Sequence, residues 1–367
     1  MPQPDVLIIG GGVIGCAIAY TLTHQCSLRV LLLERATLGS GATNAAAGLL
    51  AVASSHAPGG VLFELRRRSA ALFPELVARL RAESGIDPEY RQGALLELGF
   101  SGREGDELQR LVQRRREQQF DAELLDAGTA RQMEPLLSEE VRVAARFGGE
   151  HCINSERLTA ALAEAARRRG AEVRLNAPVT GFETAGTRVL RVRSADEWIC
   201  PGAVVLAAGT WSVEIAAQLR VRVPLRPARG EMLALRPSQL PNHFVTWDDG
   251  YLIPRADGEL HVGSTVEYTD CVEVTAAGAA LLKRRALQMM PALADAPVVR
   301  RWAGLRPCPT IRRPIIGPVR GFENLILATG HHRNGVLLAP VTGQLVTELL
   351  TTNATSLPLQ PFSYRPR

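Results

Sequence analysis

The sequence of 367 residues contains one lysine, Lys283, so almost all of its positive charge comes from arginine. Schiff-base catalysis requires a lysine amine, and Lys283 lies in LLKRRALQMM, which has the spacing of a surface helix. The sequence therefore argues against pyridoxal-type chemistry. The formal net charge of +5 comes from scattered arginines, and this distribution does not form the basic patch that is typical of nucleic-acid binding.

Long apolar runs and metal-binding spacings are also absent. No run reaches the roughly eighteen apolar residues of a membrane-spanning helix. The N-terminal MPQPDV has no basic region ahead of an apolar stretch, so we expect a cytoplasmic protein that does not bind membranes. The six cysteines include no C-x-x-C pair and the seven histidines no H-E-x-x-H. We therefore predict free thiols and no metal site.

A strand, a glycine turn and a helix are encoded in residues 5–22, DVLIIGGGVIGCAIAYTL. An apolar run is followed by Gly10, Gly12 and Gly15 in the pattern G-x-G-x-x-G, and an apolar helical segment comes next. A second strand, LRVLLLE, ends at Glu34, 19 residues after Gly15. An acidic residue at this distance can reach a ribose hydroxyl. The segment therefore predicts a dinucleotide-binding β-α-β unit.

Two further segments have the small residues that a bound nucleotide favours. The loop GSGATNAAAGLL, residues 39–50, indicates backbone packed against an extended ligand, although a flexible loop would have the same composition. The run AVVLAAGTWS, residues 203–212, predicts a buried strand that ends in a glycine turn. Near the C-terminus, NLILATG predicts another buried strand and HHRNGVLLAPVTGQLVTELL a turn into a helix.

The fold class that these patterns predict is α/β, with a Rossmann-like nucleotide-binding domain and a second α+β domain built on an antiparallel sheet. Residues 221–299 alternate apolar and polar positions, which is typical of antiparallel strands. The predicted nucleotide-binding domain is discontinuous and comprises residues 1–85, 145–220 and 300–367. The predicted substrate-binding domain comprises residues 86–144 and 221–299.

Seven motifs in one order carry a resemblance to a known family. They are IIGGGVIGCAIAY, TNAAAGLL, VVLAAGTWS, GYLIPR, WAGLRP, PIIG and GHHRNGVLLAP. The chain resembles the D-amino acid oxidase-like FAD-dependent oxidoreductases, and within them the glycine oxidases of the thiamine pathway. The resemblance implies non-covalent FAD as the cofactor and hydride transfer from a substrate carbon to flavin N5. It also implies a small amino acid and oxygen as substrates and a homo-oligomer, often a tetramer.

The resemblance also assigns cofactor-binding positions. Glu34 would bind the adenosine ribose, Val179 would meet adenine with its backbone, and the turn before the last helix would line the isoalloxazine. The full set is Gly10, Gly12, Val13, Ile14, Gly15, Glu34, Arg35, Ala42, Thr43, Ala47, Gly48, Leu49, Val179, Gly209, His331, His332, Arg333, Asn334, Gly335, Val336 and Leu337. Gly10, Val13, Ile14 and Gly15 would lie against the pyrophosphate at the helix N-terminus, where N–H groups favour phosphate.

Three substrate-binding residues follow from the same resemblance. Arg306, in WAGLRP, matches the arginine that binds the substrate carboxylate, and a guanidinium fits a carboxylate bidentately. Arg333 would approach the same carboxylate from the flavin side, and Tyr251 would add a hydrogen bond. On sequence alone, Arg306 could be one surface arginine among many, and Tyr251 a core residue. If the amine binds in its neutral form, no dedicated catalytic base is required.

The sequence departs from the family pattern after Arg306, where PCPTIRR replaces the familiar turn. Cys308 in this segment suggests a covalent flavin link, but its offset from Arg306 favours an inert thiol. No lysine is placed to activate oxygen, so the sequence leaves oxidase and dehydrogenase activity open. The alternatives are a sarcosine or D-proline oxidase, a D-amino acid dehydrogenase that uses a quinone, and a flavoprotein without turnover.

Overall fold

The structure, a computed structural model, describes residues 3–56 and 59–364. The strands in this part of the chain are β1 (Val6–Ile9), β2 (Val30–Leu33), β3 (Leu49–Leu50), β4 (Arg91–Gly99), β5 (Ala122–Asp126), β6 (Val143–Cys152), β7 (Glu172–Arg174), β8 (Val179–Ala185), β9 (Arg188–Ser194), β10 (Glu197–Ile199), β11 (Ala203–Leu206), β12 (Leu225–Leu235), β13 (Phe244–Trp247), β14 (Gly250–Pro254), β15 (Leu260–Gly263), β16 (Val298–Pro309), β17 (Ile315–Pro318) and β18 (Leu325–Thr329). The α-helices are α1 (Val13–Gln25), α2 (Val61–Ser84), α3 (Gly102–Glu117), α4 (Ala127–Met133), α5 (Ser155–Arg168), α6 (Ser212–Ala217), α7 (Ala276–Met289) and α8 (Gly335–Thr352).

The first sheet is six-stranded, in the order β17-β18-β11-β1-β2-β7. Its strands are parallel from β18 to β7, and only β17 is antiparallel to its neighbour. Alternate residues of β1 pack on opposite sides: Ile8 joins a core with α1, α5 and α8, and Leu7 joins one with β9 and α6. Burial on both faces explains why these strands are apolar throughout. This sheet confirms the predicted Rossmann-like fold class.

Helix α5 shows how a local signal sets a boundary. The side chain of Asn154 accepts a hydrogen bond from the N–H of Arg157 at 3.1 Å, so Asn154 is the N-cap. Gly170, just beyond the helix, has φ of +96°, a conformation that glycine adopts without a side-chain clash. Both residues confirm the boundaries predicted from sequence.

The second sheet is nine-stranded, in the order β16-β12-β15-β14-β13-β4-β6-β3, with β5 also paired to β6. Most pairs are antiparallel, as predicted, but β13 runs parallel to β4. Side chains of directly paired residues point to the same face of a sheet. One such row consists of Trp302, Met232, Gly263, Tyr251, Thr246 and Glu97.

The predicted domain limits at residues 145 and 300 fall inside β6 and β16, two long strands of the second sheet. The chain therefore passes from one sheet to the other close to these positions, and the division into two domains stays a prediction. Helix α8 is apolar and largely buried between α1 and α2. None of the helices within residues 3–56 and 59–364 combines the length and apolar character that a membrane crossing requires.

Candidate active site

A cavity of about 1170 Å³ extends from the carboxyl ends of β1, β2, β11 and β18 to the inner face of the nine-stranded sheet. Ligands of open α/β sheets bind at the carboxyl ends of parallel strands. Pockets for single small molecules usually measure about 300–1,000 Å³. The cavity is therefore large enough for a dinucleotide in one arm and a small substrate in the other.

Gly10 brings three backbone segments together at the end of β1. Its φ is +114°, and a Cβ on it would lie 2.7 Å from the carbonyl oxygen of Ala207. Gly15 does not line the cavity, because a Cβ there would lie 1.9 Å from the carbonyl oxygen of Gly10. The structure thus corrects the expected role of Gly15. It allows α1 to pack closely on β1, as the third glycine of such turns does, and it does not contact the pyrophosphate position.

The N-terminus of α1 opens on the cavity at Gly12 and Val13. Gly12 is an N-cap without a side-chain hydrogen bond, and the first turn contains no acidic residue. The N–H of Val13 donates to Oγ1 of Thr43 at 3.2 Å. The positive end of the helix dipole is therefore not balanced by a protein carboxylate, and this position suits a diphosphate.

Glu34 holds two segments of the cavity wall at the end of β2. Its Oε2 accepts a hydrogen bond from the N–H of Gly11 at 2.7 Å, and its Oε1 accepts one from the N–H of Ala36 at 2.9 Å. Arg35 lies with its guanidinium carbon 3.7 Å from the ring centroid of Trp211. Together with Val179, these side chains form the end of the cavity where the adenosine is expected.

The turn of residues 331–337 lines the opposite end of the same arm. Burial lowers the pKa of His331 to about 3, and its Nε2 lies 3.1 Å from Oγ1 of Thr342. Burial, aided by Arg333 and Arg306, lowers the pKa of His332 to about 4. Both histidines are therefore neutral at pH 7. The N-cap of α8, Asn334, has no side-chain hydrogen bond, so a second helix N-terminus faces the cavity.

Arg306 extends from β16 across Gly230 of β12. Its Nη2 donates to Oγ of Ser264 at 2.8 Å, and its Nη1 donates to the carbonyl oxygen of Thr265 at 3.0 Å. A Cβ on Gly230 would lie 2.0 Å from Nη2, so only glycine leaves room for this guanidinium. Burial lowers the pKa of Arg306 from its usual value. Within the described residues Arg306 has no ion-pair partner inside 4.0 Å.

Tyr251 stands beside this guanidinium, with its ring over Gly263, where a Cβ would lie 2.4 Å from the phenol oxygen. Its hydroxyl donates to Sδ of Met232 at 3.3 Å. Burial raises the pKa of Tyr251, although the neighbouring Arg306 opposes the shift. The phenol is therefore protonated at neutral pH and can donate a hydrogen bond to an anion.

Arg333 is the third predicted substrate residue, and it lies at the cavity wall with a partner of its own. Its Nη1 donates to Oδ1 of Asp249 at 3.0 Å. Asp249 belongs to the turn between β13 and β14 and also lines the cavity. The guanidinium of Arg333 therefore differs from that of Arg306, which faces the cavity without a carboxylate.

The structure places nearly all of the predicted residues along one cavity. Apart from Gly15, the residues predicted from sequence all line it, and Cys308 does not. No group of three or more metal-ligating side chains occurs in the described part of the chain. Three lining residues were not predicted, namely Trp211, Ser264 and Asp249. The acidic pair that precedes GYLIPR was the available signal for Asp249.

Comparisons with known proteins agree with this geometry. A family model described as FAD dependent oxidoreductase, DAO, matches residues 5–349. This chain belongs to that family. Glycine oxidase from Geobacillus kaustophilus is 33% identical over 98% of this chain and 96% of its own length. A crystal structure of glycine oxidase from that organism has a TM-score of 0.96 at 32% identity and covers 100% of both chains.

A third relative is the bifunctional protein ThiO/ThiG of Synechocystis sp., which is 32% identical over 98% of this chain; the match covers 53% of that longer protein. The cofactor of this DAO-family oxidoreductase is FAD. The cavity fits this cofactor, because the uncapped N-terminus of α1 suits its pyrophosphate and Gly10 lets the backbone approach it.

The loop before α2 closes one side of the cavity in this DAO-family chain, with Ser54 and Ser55 in the wall. It is held by Glu150 of β6, which is only 1% exposed. Oε2 of Glu150 accepts from the N–H of Val52 at 2.8 Å, and Oε1 accepts from the N–H of Ser54 at 2.7 Å. A buried carboxylate thus fixes the backbone of a loop that lines the site.

Glu150→Gln is expected to flatten the pH dependence of stability. Burial raises the pKa of Glu150 from 4.5 to about 7. Between these pH values the folded state keeps a proton that the unfolded chain has released, so the free energy of unfolding falls as pH rises. The loss is about 3 kcal/mol, at about 1.4 kcal/mol per pH unit. Thermal unfolding at pH 5 and pH 7.5 measures it. Tm values of the two proteins that change in parallel would contradict the assignment.

Proposed function

We propose that this protein oxidises small amino acids, with glycine as the reference substrate, at the bond between Cα and nitrogen. The observation that carries the proposal is the guanidinium of Arg306, which is buried, lacks a carboxylate partner and faces the cavity beside the expected flavin position. A buried cation without a counter-ion is costly unless a ligand provides one. The 33% identity to a glycine oxidase supports an amino acid as that ligand.

Arg306 has the donors for bidentate binding of a carboxylate. A guanidinium carries five N–H groups. Ser264 and Thr265 accept from two of them, and the carbonyl oxygen of Arg229 lies 3.5 Å from Nη1. The Nε–H and one Nη2–H therefore remain, and two neighbouring donors match the two oxygens of a carboxylate. Tyr251 would add a third hydrogen bond from its protonated hydroxyl.

The residues on the flavin side position the substrate amine and provide no strong base. His331 and His332 are neutral and their pKa values lie far below 7, so neither histidine adds positive charge beside the amine. The amine is expected to bind in its neutral form, with the Cα–H bond directed at the cofactor by the fixed carboxylate. Such positioning supplies much of a catalytic effect. The chemistry that bound FAD supplies is removal of a hydride equivalent from Cα and delivery of the electrons to oxygen, with hydrogen peroxide as product.

The product of this reaction is an imino acid, which hydrolyses to glyoxylate and ammonia when glycine is the substrate. The likeness to the bifunctional ThiO/ThiG protein supports a use of the imine in the thiazole synthesis of thiamine. The free cysteines of the described chain support a cytoplasmic location. A homo-oligomer, with four subunits as the expected number, is part of the same proposal.

Anaerobic mixing of the FAD-loaded protein with glycine, sarcosine, D-alanine and D-proline tests the proposal. We expect bleaching of the flavin absorbance with glycine, and peroxide when air is readmitted. Faster bleaching by sarcosine or D-proline would assign the substrate to that amine instead. Bleaching without peroxide, with electrons passed to a quinone, would indicate a dehydrogenase. No bleaching by any amine would overturn the proposal.

A further inference from the structure

The ion pair between Arg333 and Asp249 lies at the mouth of the substrate arm. Arg333 belongs to the short turn His332–Asn334 that precedes α8, and Asp249 belongs to the turn between β13 and β14. The pair therefore joins the flavin side of the cavity to the sheet side. The two side chains are 44% and 55% exposed, so the pair is open to solvent and to an arriving ligand.

The charges around the substrate arm act on one another. Burial lowers the pKa of Arg306, Arg333 lowers it further, and Asp249 raises it. Arg306 and Arg333 both lower the pKa of Tyr251, against the larger effect of burial. These groups are therefore within electrostatic reach of each other. Two guanidinium groups and one carboxylate leave a net charge of +1, which matches one substrate carboxylate.

We propose that Asp249 is a specificity-determining residue that selects amino acids with one carboxylate. By pairing with Arg333 it leaves Arg306 as the cation available to the substrate, and it repels a second negative charge. Without this carboxylate the site would present two cations and would favour ligands with two carboxylates. The inference rests on the proposed function, because it takes the substrate carboxylate to lie on Arg306.

The neighbouring carboxylate provides a matched control. Asp248 lies in the same turn, and its Oδ2 accepts a hydrogen bond from Arg285 of α7 at 2.7 Å. Asp248→Asn removes the same charge from the same turn without changing the partner of Arg333. At an ionic strength of about 0.15 M, charges more than about 8 Å apart are largely screened. Asp249→Asn keeps an oxygen that can accept from Arg333, so it changes charge with little change of shape.

The test uses acetate and malonate as probes of the FAD-loaded enzyme, with Kd values from the shift of the flavin absorption spectrum. In Asp249→Asn we expect the affinity for malonate to rise relative to acetate by about tenfold, which corresponds to about 1.4 kcal/mol. Asp248→Asn should leave the ratio within about twofold of wild type. Adding Arg333→Gln to Asp249→Asn should remove the gain, because the second cation is then lost.

Turnover provides a second measurement with the same logic. We expect Asp249→Asn to raise kcat/KM for iminodiacetate relative to sarcosine, mainly through KM. Unchanged ratios in both assays, or a gain that persists without Arg333, would overturn the role of Asp249. If the wild-type enzyme oxidises no amine, the proposed function fails, and the ratio of Kd values still measures the charge selection.

Discussion

Replacing Arg306 by alanine is expected to raise the KM for the amino acid by about 100-fold or more. The guanidinium is buried and without an ion-pair partner in the described chain, so in the complex its charge would be neutralised by the substrate carboxylate. Removing one member of a desolvated charge pair costs about 2–5 kcal/mol, and about 2.7 kcal/mol corresponds to 100-fold. Steady-state kinetics with glycine, or with the amine that bleaches the flavin fastest, measures the change.

The flavin content of Arg306→Ala should equal that of wild type, because Arg306 lies in the substrate arm and not at the N-terminus of α1. Arg301 provides the control, since it is an exposed arginine of the same strand at an odd position, where side chains point to the opposite face. Arg301→Ala should change KM less than about twofold. A KM for Arg306→Ala close to that of wild type would show that the carboxylate binds elsewhere.

Replacing Gly10 by alanine is expected to abolish stable binding of FAD. The added methyl group would lie 2.7 Å from the carbonyl oxygen of Ala207 and 2.8 Å from Cα of Ala208, and φ of +114° is a conformation that alanine rarely adopts. Both contacts are with backbone, so relief requires movement of β1 or of the turn after β11. Either movement displaces the cradle of the pyrophosphate. The ratio of flavin to protein absorbance after gel filtration measures the loss.

Gly102→Ala is the matched control for this change. Gly102 begins α3, and a Cβ there would meet no atom within 4 Å. This variant should keep wild-type flavin content, with equal or slightly higher stability because alanine favours helix. Circular dichroism of Gly10→Ala separates loss of the cofactor from loss of the fold. Full flavin content in a folded Gly10→Ala protein would contradict the assigned role of Gly10.

The nucleotide half of the fold could be predicted from sequence because its signals are local. The strand β1, the turn at Gly10 and the helix α1 follow each other within residues 6–25, and each has its own pattern. The cap at Asn154 is also local, since an N-cap interacts with N–H groups two or three residues later. These patterns need no information about distant parts of the chain.

Other features depend on contacts between distant residues and were not predictable in this way. The parallel pairing of β13 with β4 joins Thr246 to Glu97, which are far apart in sequence. The pairing of Arg333 with Asp249 depends on how two turns meet, and nothing in either segment indicates it. Gly15 was assigned to the pyrophosphate because the motif does not distinguish a ligand contact from helix packing. The space above Gly230 likewise became evident only from the packing of β12 on β16.

The course of β16 has a consequence for exchanging parts between members of the family. This strand carries Arg306 and continues through residues 310–314 into β17 of the six-stranded sheet. A short covalent connection therefore sets the spacing between the acid-binding guanidinium and the nucleotide cradle. Chimeras that swap substrate preference should keep residues 298–318 from one parent, because a junction within them would change the reach of the amino acid toward the redox centre.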